Sequence, residues 1–128
     1  MITRRTALAL AAVMPLMLAS PALAMEKFTG EALEAAQKAG KSIIVDVAAS
    51  WCPVCKAQGA VLETLAKNEK FKDFVFLKVD FDGQKDDLRK LNARLHSTLI
   101  AFKGDKEIER VIGETDPAAI EALLTKAL

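Results

Sequence analysis

The chain has 128 residues, 18 basic and 17 acidic, with a net charge of +1. The two signs are mixed throughout, with no basic run of the kind a nucleic-acid surface needs, so nucleic acid is not an expected partner. No internal repeat, low-complexity tract or linker is visible, which leaves room for one domain rather than two.

Residues 1–24 read as a cleavable export signal. Arg4 and Arg5 form a positive start, and Thr6 to Ser20 carries no charge. Ala22-Leu23-Ala24 supplies an A-x-A cleavage pattern, with Pro21 just before it. A retained membrane anchor is the alternative, but the apolar run is short for a bilayer span and is broken by Pro15. No cysteine lies near the cleavage site, which excludes a lipoprotein. Thr3-Arg4-Arg5 is similar to a twin-arginine signal, yet Ala7 stands where a bulky residue is usual, so a general secretory signal fits at least as well. Loss of Arg4 and Arg5 leaves 16 basic against 17 acidic residues in a mature domain running from Met25 to Leu128. The expected location is the periplasm or cell exterior, where cysteines meet oxidising conditions.

Met25–Phe28 is too short to assign and fits an edge strand. Thr29 to Gly40 predicts a first helix, with Thr29 as N-cap and Gly40 as its stop. Ser42–Ala48 is short, β-branched and apolar, as in a buried strand. Pro53–Asn68 predicts a helix with Val54, Ala57, Val61, Leu62 and Leu65 on its inner face. Phe74–Phe81 is the next strand. Gln84–Leu95 predicts a helix with Leu88, Leu91 and Leu95 on one stripe. Thr98–Lys103 and Glu107–Ile112 read as a hairpin turning at Gly104-Asp105. Asp116-Pro117 is expected to cap a last helix that points Ile120, Leu123 and Leu124 inward. The order (β)αβαβαββα predicts an α/β class: a central mixed β-sheet with helices on both faces.

Ser50-Trp51-Cys52-Pro53-Val54-Cys55-Lys56 holds both cysteines and the sole tryptophan. Cys52 falls at a strand-to-helix turn, and Pro53 suits the first helical position, where a missing N–H costs nothing. Unpaired N–H groups and the positive end of the helix dipole favour a thiolate there. Cys52 is therefore the expected nucleophile, the more acidic and more exposed thiol. Cys55, one turn on, is placed to attack a mixed disulfide at Cys52 and release the partner. A purely structural bridge is the first alternative. Closing so short a loop stabilises by roughly 2 kcal/mol, against about 4.7 kcal/mol for a 100-residue loop. Half of a zinc site is the second, although the usual second Cys or His pair is absent.

Asp46, Trp51, Cys52-x-x-Cys55 and Lys56, followed by Lys78, the Thr98–Gly104 segment and Gly113, resemble the thioredoxin superfamily in its minimal form. The likeness covers nearly all of the chain after residue 24. It implies the thioredoxin fold and a thiol–disulfide oxidoreductase with no organic cofactor. Its partners would be protein thiol or disulfide substrates and a membrane or periplasmic redox partner, and the protein would be a monomer. It also implies a Cys52–Cys55 disulfide. Asp46 would be a buried carboxyl relaying protons for Cys55, with Lys78 as a nearby buried lysine. Trp51 and Pro53 complete the expected catalytic set. Solvated ends of the strands are the plainer reading of Asp46 and Lys78.

One position departs from the family pattern. Ser97 stands where the superfamily has a cis-proline, before the matched Thr98. A cis bond to a non-proline residue costs about 2.5–4 kcal/mol, so a trans bond is expected. His96, Ser97 and Thr98 are the expected substrate-binding loop. His96, the sole histidine, is either a partly exposed loop residue or a neighbour of the thiols. From the latter follows a second functional reading, a Cu(I)- or Zn-binding protein using Cys52, Cys55 and His96.

Overall fold

A computed structural model describes residues 12–13 and 25–128. The export signal assigned to 1–24 lies outside the described residues, apart from Ala12 and Val13. The elements run β1 (Glu26–Lys27), α1 (Gly30–Lys38), β2 (Ser42–Ala48), α2 (Pro53–Ala66), a 3-10 turn (Glu69–Phe71), β3 (Val75–Asp80), α3 (Lys85–Lys90), β4 (Thr98–Lys103), β5 (Lys106–Ile112) and α4 (Pro117–Lys126).

The strands lie in the order β1-β3-β2-β4-β5. β3 is parallel to β1 and β2, whereas β4 is antiparallel to β2 and β5. All seven residues of β2 are buried because it is central and both faces are covered, which explains its unbroken apolar run. Alternation divides that run between two layers. Ile43, Val45 and Val47 pack with Leu77, Val79 and Ile100, beneath Ala36 of α1 and Leu88 of α3. Ile44 packs with Phe76 and Leu99, beneath Leu62 and Leu65 of α2 and Leu123 and Leu124 of α4. Asp46 shares the side of Ile44 and Ala48. The α/β mixed-sheet expectation and its element order therefore hold.

The caps show where local signals are sufficient. Thr29 Oγ1 accepts from the Ala32 N–H at 3.0 Å. Gly40, at φ 67°, ends α1 with Gly40 N–H donating to Gln37 O and Lys41 N–H to Ala36 O.

Three expectations need correction. The helix placed over Gln84–Leu95 ends at Lys90. Asn92 takes φ 52°, its N–H donates to Arg89 O, and the Ala93 N–H donates to Leu88 O, the paired bonds of a left-handed helix stop. Leu95 is consequently outside the helix and 52% exposed. The inner face of α2 consists of Cys55, Gln58, Leu62 and Leu65, while Val54 and Ala57 face outward. Asp116 stands at the N-cap of α4, but its side chain makes no capping bond.

Candidate active site

The last residues of β2 deliver the chain to the head of α2, and the sulfur of Cys52 completes that head. Cys52 is the N-cap residue, with extended backbone (φ −93°, ψ 110°), and its Sγ accepts from the Cys55 N–H at 3.1 Å. A sulfur here meets an N–H that the helix itself leaves unpaired, together with the positive end of the dipole. Cys52 and Cys55 are joined as a disulfide, with Cα atoms 5.2 Å apart. Ala48, Ala49 and Phe81 pack around them. Exposure does not distinguish the two residues in this state, at 4% and 3%. The expectation that Cys52 is the more open thiol concerns the reduced protein. What separates them is the helix-head hydrogen bond.

His96 and Ser97 close the site from the other side, at the start of β4. Ser97 is buried, and its Oγ lies 3.2 Å from each sulfur and 3.1 Å from His96 Nδ1. Nδ1 is itself 3.4 Å from Cys52 Sγ and 3.9 Å from Cys55 Sγ. The imidazole is held edge-on by Trp51, with ring centroids 4.9 Å apart, and by Phe81 at 5.5 Å. Trp51 is largely exposed, yet its indole N–H donates to Asp82 Oδ2 at 2.8 Å, which fixes the ring. The peptide bond before Ser97 is trans, and Ser97 sits at φ 58° in the left-handed region. Non-glycine residues occupy that region at a cost. A pyrrolidine ring is confined near φ −65°, so proline cannot replace Ser97 without moving the loop. Thr98 Oγ1 donates to Leu95 O at 2.7 Å, which braces the loop rather than facing the sulfurs.

Gln58 is a residue beside the site that the sequence reading does not pick out. It is fully buried one turn after Cys55. Its Nε2 donates to Ser97 O and to Glu114 O, each at 3.0 Å. The Gly113 N–H also donates to Ser97 O, at 2.9 Å. The loop is thus tied both to α2 and to the end of β5. The signal was a polar side chain in step with Cys55, Leu62 and Leu65 on one helical face.

Asp46 is 1% exposed, and its Oδ1 meets no hydrogen-bond donor among the described residues. Burial pushes its carboxyl up from 3.8 to about 6, with the positive charge of Lys78 pulling in the opposite direction. Lys78 pairs with Asp46 in the β2–β3 register. It is exposed, not the buried lysine that the resemblance implied, because β3 presents that position beyond the cover of α2. It lines an open cleft of about 450 Å³ with Cys52, Cys55, Lys56 and Glu63.

The thioredoxin family model matches residues 23–126. A thioredoxin of Echinococcus granulosus is 36% identical over 104 residues, covering 80% of this chain and 94% of that protein. Thioredoxin-2 of Saccharomyces cerevisiae is 40% identical over 81 residues, covering 63% and 75% respectively. Among solved structures, Trxlp from Edwardsiella tarda EIB202 superposes with a TM-score of 0.76 at 39% identity, covering 78% of this chain and 97% of that one. A dithiol pair at the head of the second helix, on a five-stranded sheet of this order, agrees with those matches: the chain belongs to the thioredoxin family and is a thiol–disulfide oxidoreductase of that type.

Proposed function

We propose that the protein is exported, loses residues 1–24, and exchanges disulfides with exported protein substrates in the periplasm as a monomer. The observation that carries the exchange reading is the Cys52 sulfur at the head of α2, bonded to Cys55 and accepting its N–H. In the reducing direction, the Cys52 thiolate attacks a substrate disulfide. One Cys52–substrate S–S bond forms, one substrate S–S bond breaks, and the leaving substrate sulfur takes a proton. Cys55 then gives up its proton and attacks Cys52 Sγ, which releases the second substrate thiol and forms the Cys52–Cys55 disulfide. Two electrons have passed to the substrate, and a membrane or periplasmic dithiol partner returns them. Asp46, raised to about 6, serves as the proton acceptor for Cys55.

Substrate contact is assigned to the rim around the disulfide. Trp51, Val54, Leu95 and Ile112 are four of the large apolar side chains left exposed among the described residues. Trp51 touches His96, Val54 lies within the cysteine motif, Leu95 precedes His96, and Ile112 pairs with Thr98. An apolar collar about a reactive centre is what an extended polypeptide segment would be held by. His96, Ser97 and Thr98 supply the polar side of that rim.

The test is capture of mixed disulfides in cells producing Cys55→Ser, which blocks release from Cys52. The expected adducts are exported proteins, and intact mass of the captured protein should begin at Met25. Recovery with residues 1–24 retained, or adducts confined to cytosolic proteins, would reject the periplasmic assignment. Absence of Cys52 adducts would reject Cys52 as the nucleophile.

A further inference from the structure

Among the described residues, one group brings three metal-ligating side chains together: Cys52, Cys55 and His96, whose donor atoms lie within 4.8 Å of one another. A fourth donor stands with them. Ser97 Oγ is 3.2 Å from both sulfurs and 3.1 Å from Nδ1. These separations can be compared with those of a bound ion. Zn–S bonds of about 2.3 Å and Zn–N or Zn–O bonds of about 2.0–2.2 Å set tetrahedral edges of about 3.4–3.6 Å between sulfur, nitrogen and oxygen donors. The observed sulfur-to-nitrogen edges are 3.4 and 3.9 Å. The edges to Ser97 Oγ are slightly shorter. Only the sulfur–sulfur edge is far from the requirement, because it is a covalent bond; reduction removes that bond.

We propose that the reduced protein binds one Zn²⁺ through Cys52 Sγ, Cys55 Sγ and His96 Nδ1, with Ser97 Oγ at the fourth corner. The donor set is soft on two corners and borderline on the third, which suits a thiophilic d¹⁰ cation. Trp51 and Phe81 hold the imidazole edge-on, so little ring freedom remains to be lost on binding. The two thiols release their protons as the ion enters, so binding weakens as pH falls. Oxidation reverses it in balance. A partner disulfide takes two electrons and two protons to become two thiols, the two Cys sulfurs join, and the ion leaves. Metal and disulfide therefore exclude each other, and occupancy reports the redox state of the site. Cu(I) shares the chemistry but is satisfied by three donors, so it does not need the serine.

The experiment titrates Zn²⁺, and separately Cu(I), into the fully reduced protein against a chromophoric chelator. Co²⁺ serves as a spectroscopic probe of thiolate ligation. Wild type should take one Zn²⁺ per chain and release it when a small-molecule disulfide re-forms Cys52–Cys55. Loss of one ligand in His96→Ala should weaken Zn²⁺ by at least about 10–100-fold. His96→Asp, which returns a carboxylate donor, should recover part of that loss and so exclude a folding defect. Ser97→Ala should weaken Zn²⁺ while leaving Cu(I) unchanged. If oxidised and reduced wild type compete equally, or His96→Ala holds Zn²⁺ as tightly as wild type, the site is overturned. If only Cu(I) binds, the fourth-corner assignment to Ser97 falls and with it the zinc proposal. Disulfide exchange measured on the same preparations is independent, so loss of this inference leaves the exchange reading standing.

Discussion

The two layers that enclose the sheet are built under different demands. Beneath α1 and α3 the buried cluster is apolar from Phe28 to Phe102, and Thr98, the buried polar residue that β4 turns to that side, has its hydroxyl bonded to Leu95 O. The layer beneath α2 and α4 also holds Asp46 and Gln58, each with a buried side-chain oxygen lacking a hydrogen-bond donor. An unpartnered buried polar group costs about 1–3 kcal/mol. One layer therefore supplies stability, and the other gives some of it up to set the chemistry at the head of α2.

Substitutions at four positions break or sharpen that contrast, in order of expected effect. Leu77→Ala hollows the apolar layer at a fully buried position and should cost about 2–5 kcal/mol in urea unfolding. Asp46→Asn should act with the opposite sign. A carboxyl raised from 3.8 to about 6 by burial makes the folded state bind more protons than the unfolded one between those values. Its destabilising effect is absent below about pH 4, grows through that window and is complete above it, reaching up to about 3 kcal/mol. Urea midpoints of wild type and Asp46→Asn should thus separate as pH rises from 4 to 7, with the variant the more stable. Parallel profiles would mean that the carboxyl is ordinarily solvated.

Gln58→Ala removes the ties from α2 to Ser97 O and to Glu114 O and should cost roughly 1–3 kcal/mol. Hydrogen exchange at the Gly113 amide, which is bonded to Ser97 O, should accelerate beyond what the global loss explains. Unchanged protection there would place the loop's stability elsewhere. The smallest effect concerns the left-handed backbone. Ser97→Gly and Ser97→Ala both lose the hydroxyl, but glycine accepts φ 58° freely, so it should be the more stable of the two by about 1 kcal/mol. Equal stabilities would contradict the left-handed conformation.

Much of the fold was legible because its signals are local. Thr29 and Gly40 bound α1 as their chemistry dictates, and the β-branched run at Ser42–Ala48 became the central strand. The two cysteines flank Pro53 at a helix start for the same reason. What was missed depends on partners distant in the chain. The guanidinium of Arg110, on β5, donates to the carbonyls of Leu91 and Asn92 and secures the early end of α3. Asn92 is a residue type that suits a left-handed stop, but Leu95 continues the apolar stripe past it. Gln58 is polar by type and buried by position, and only the carbonyls of Ser97 and Glu114 explain it. Lys78 follows the register of β3, but the extent of helix cover above a strand is not written in the strand. Ser97 reads in the sequence as a departure from the family's cis-proline, and only its backbone twist shows the hydroxyl turned toward both sulfurs.

The sheet margins bear on how such an enzyme survives its own work. Thioredoxins act on protein thiols and disulfides, and a chain undergoing disulfide exchange offers unpaired strands of its own. Here one margin is β1, two residues long, and the other is β5, which carries Lys106, Glu107, Glu109 and Arg110 and has a register irregularity opposite Ala101 and Phe102. Short, charged and bulged borders do not template foreign strands. Such borders give a released substrate little ladder to extend.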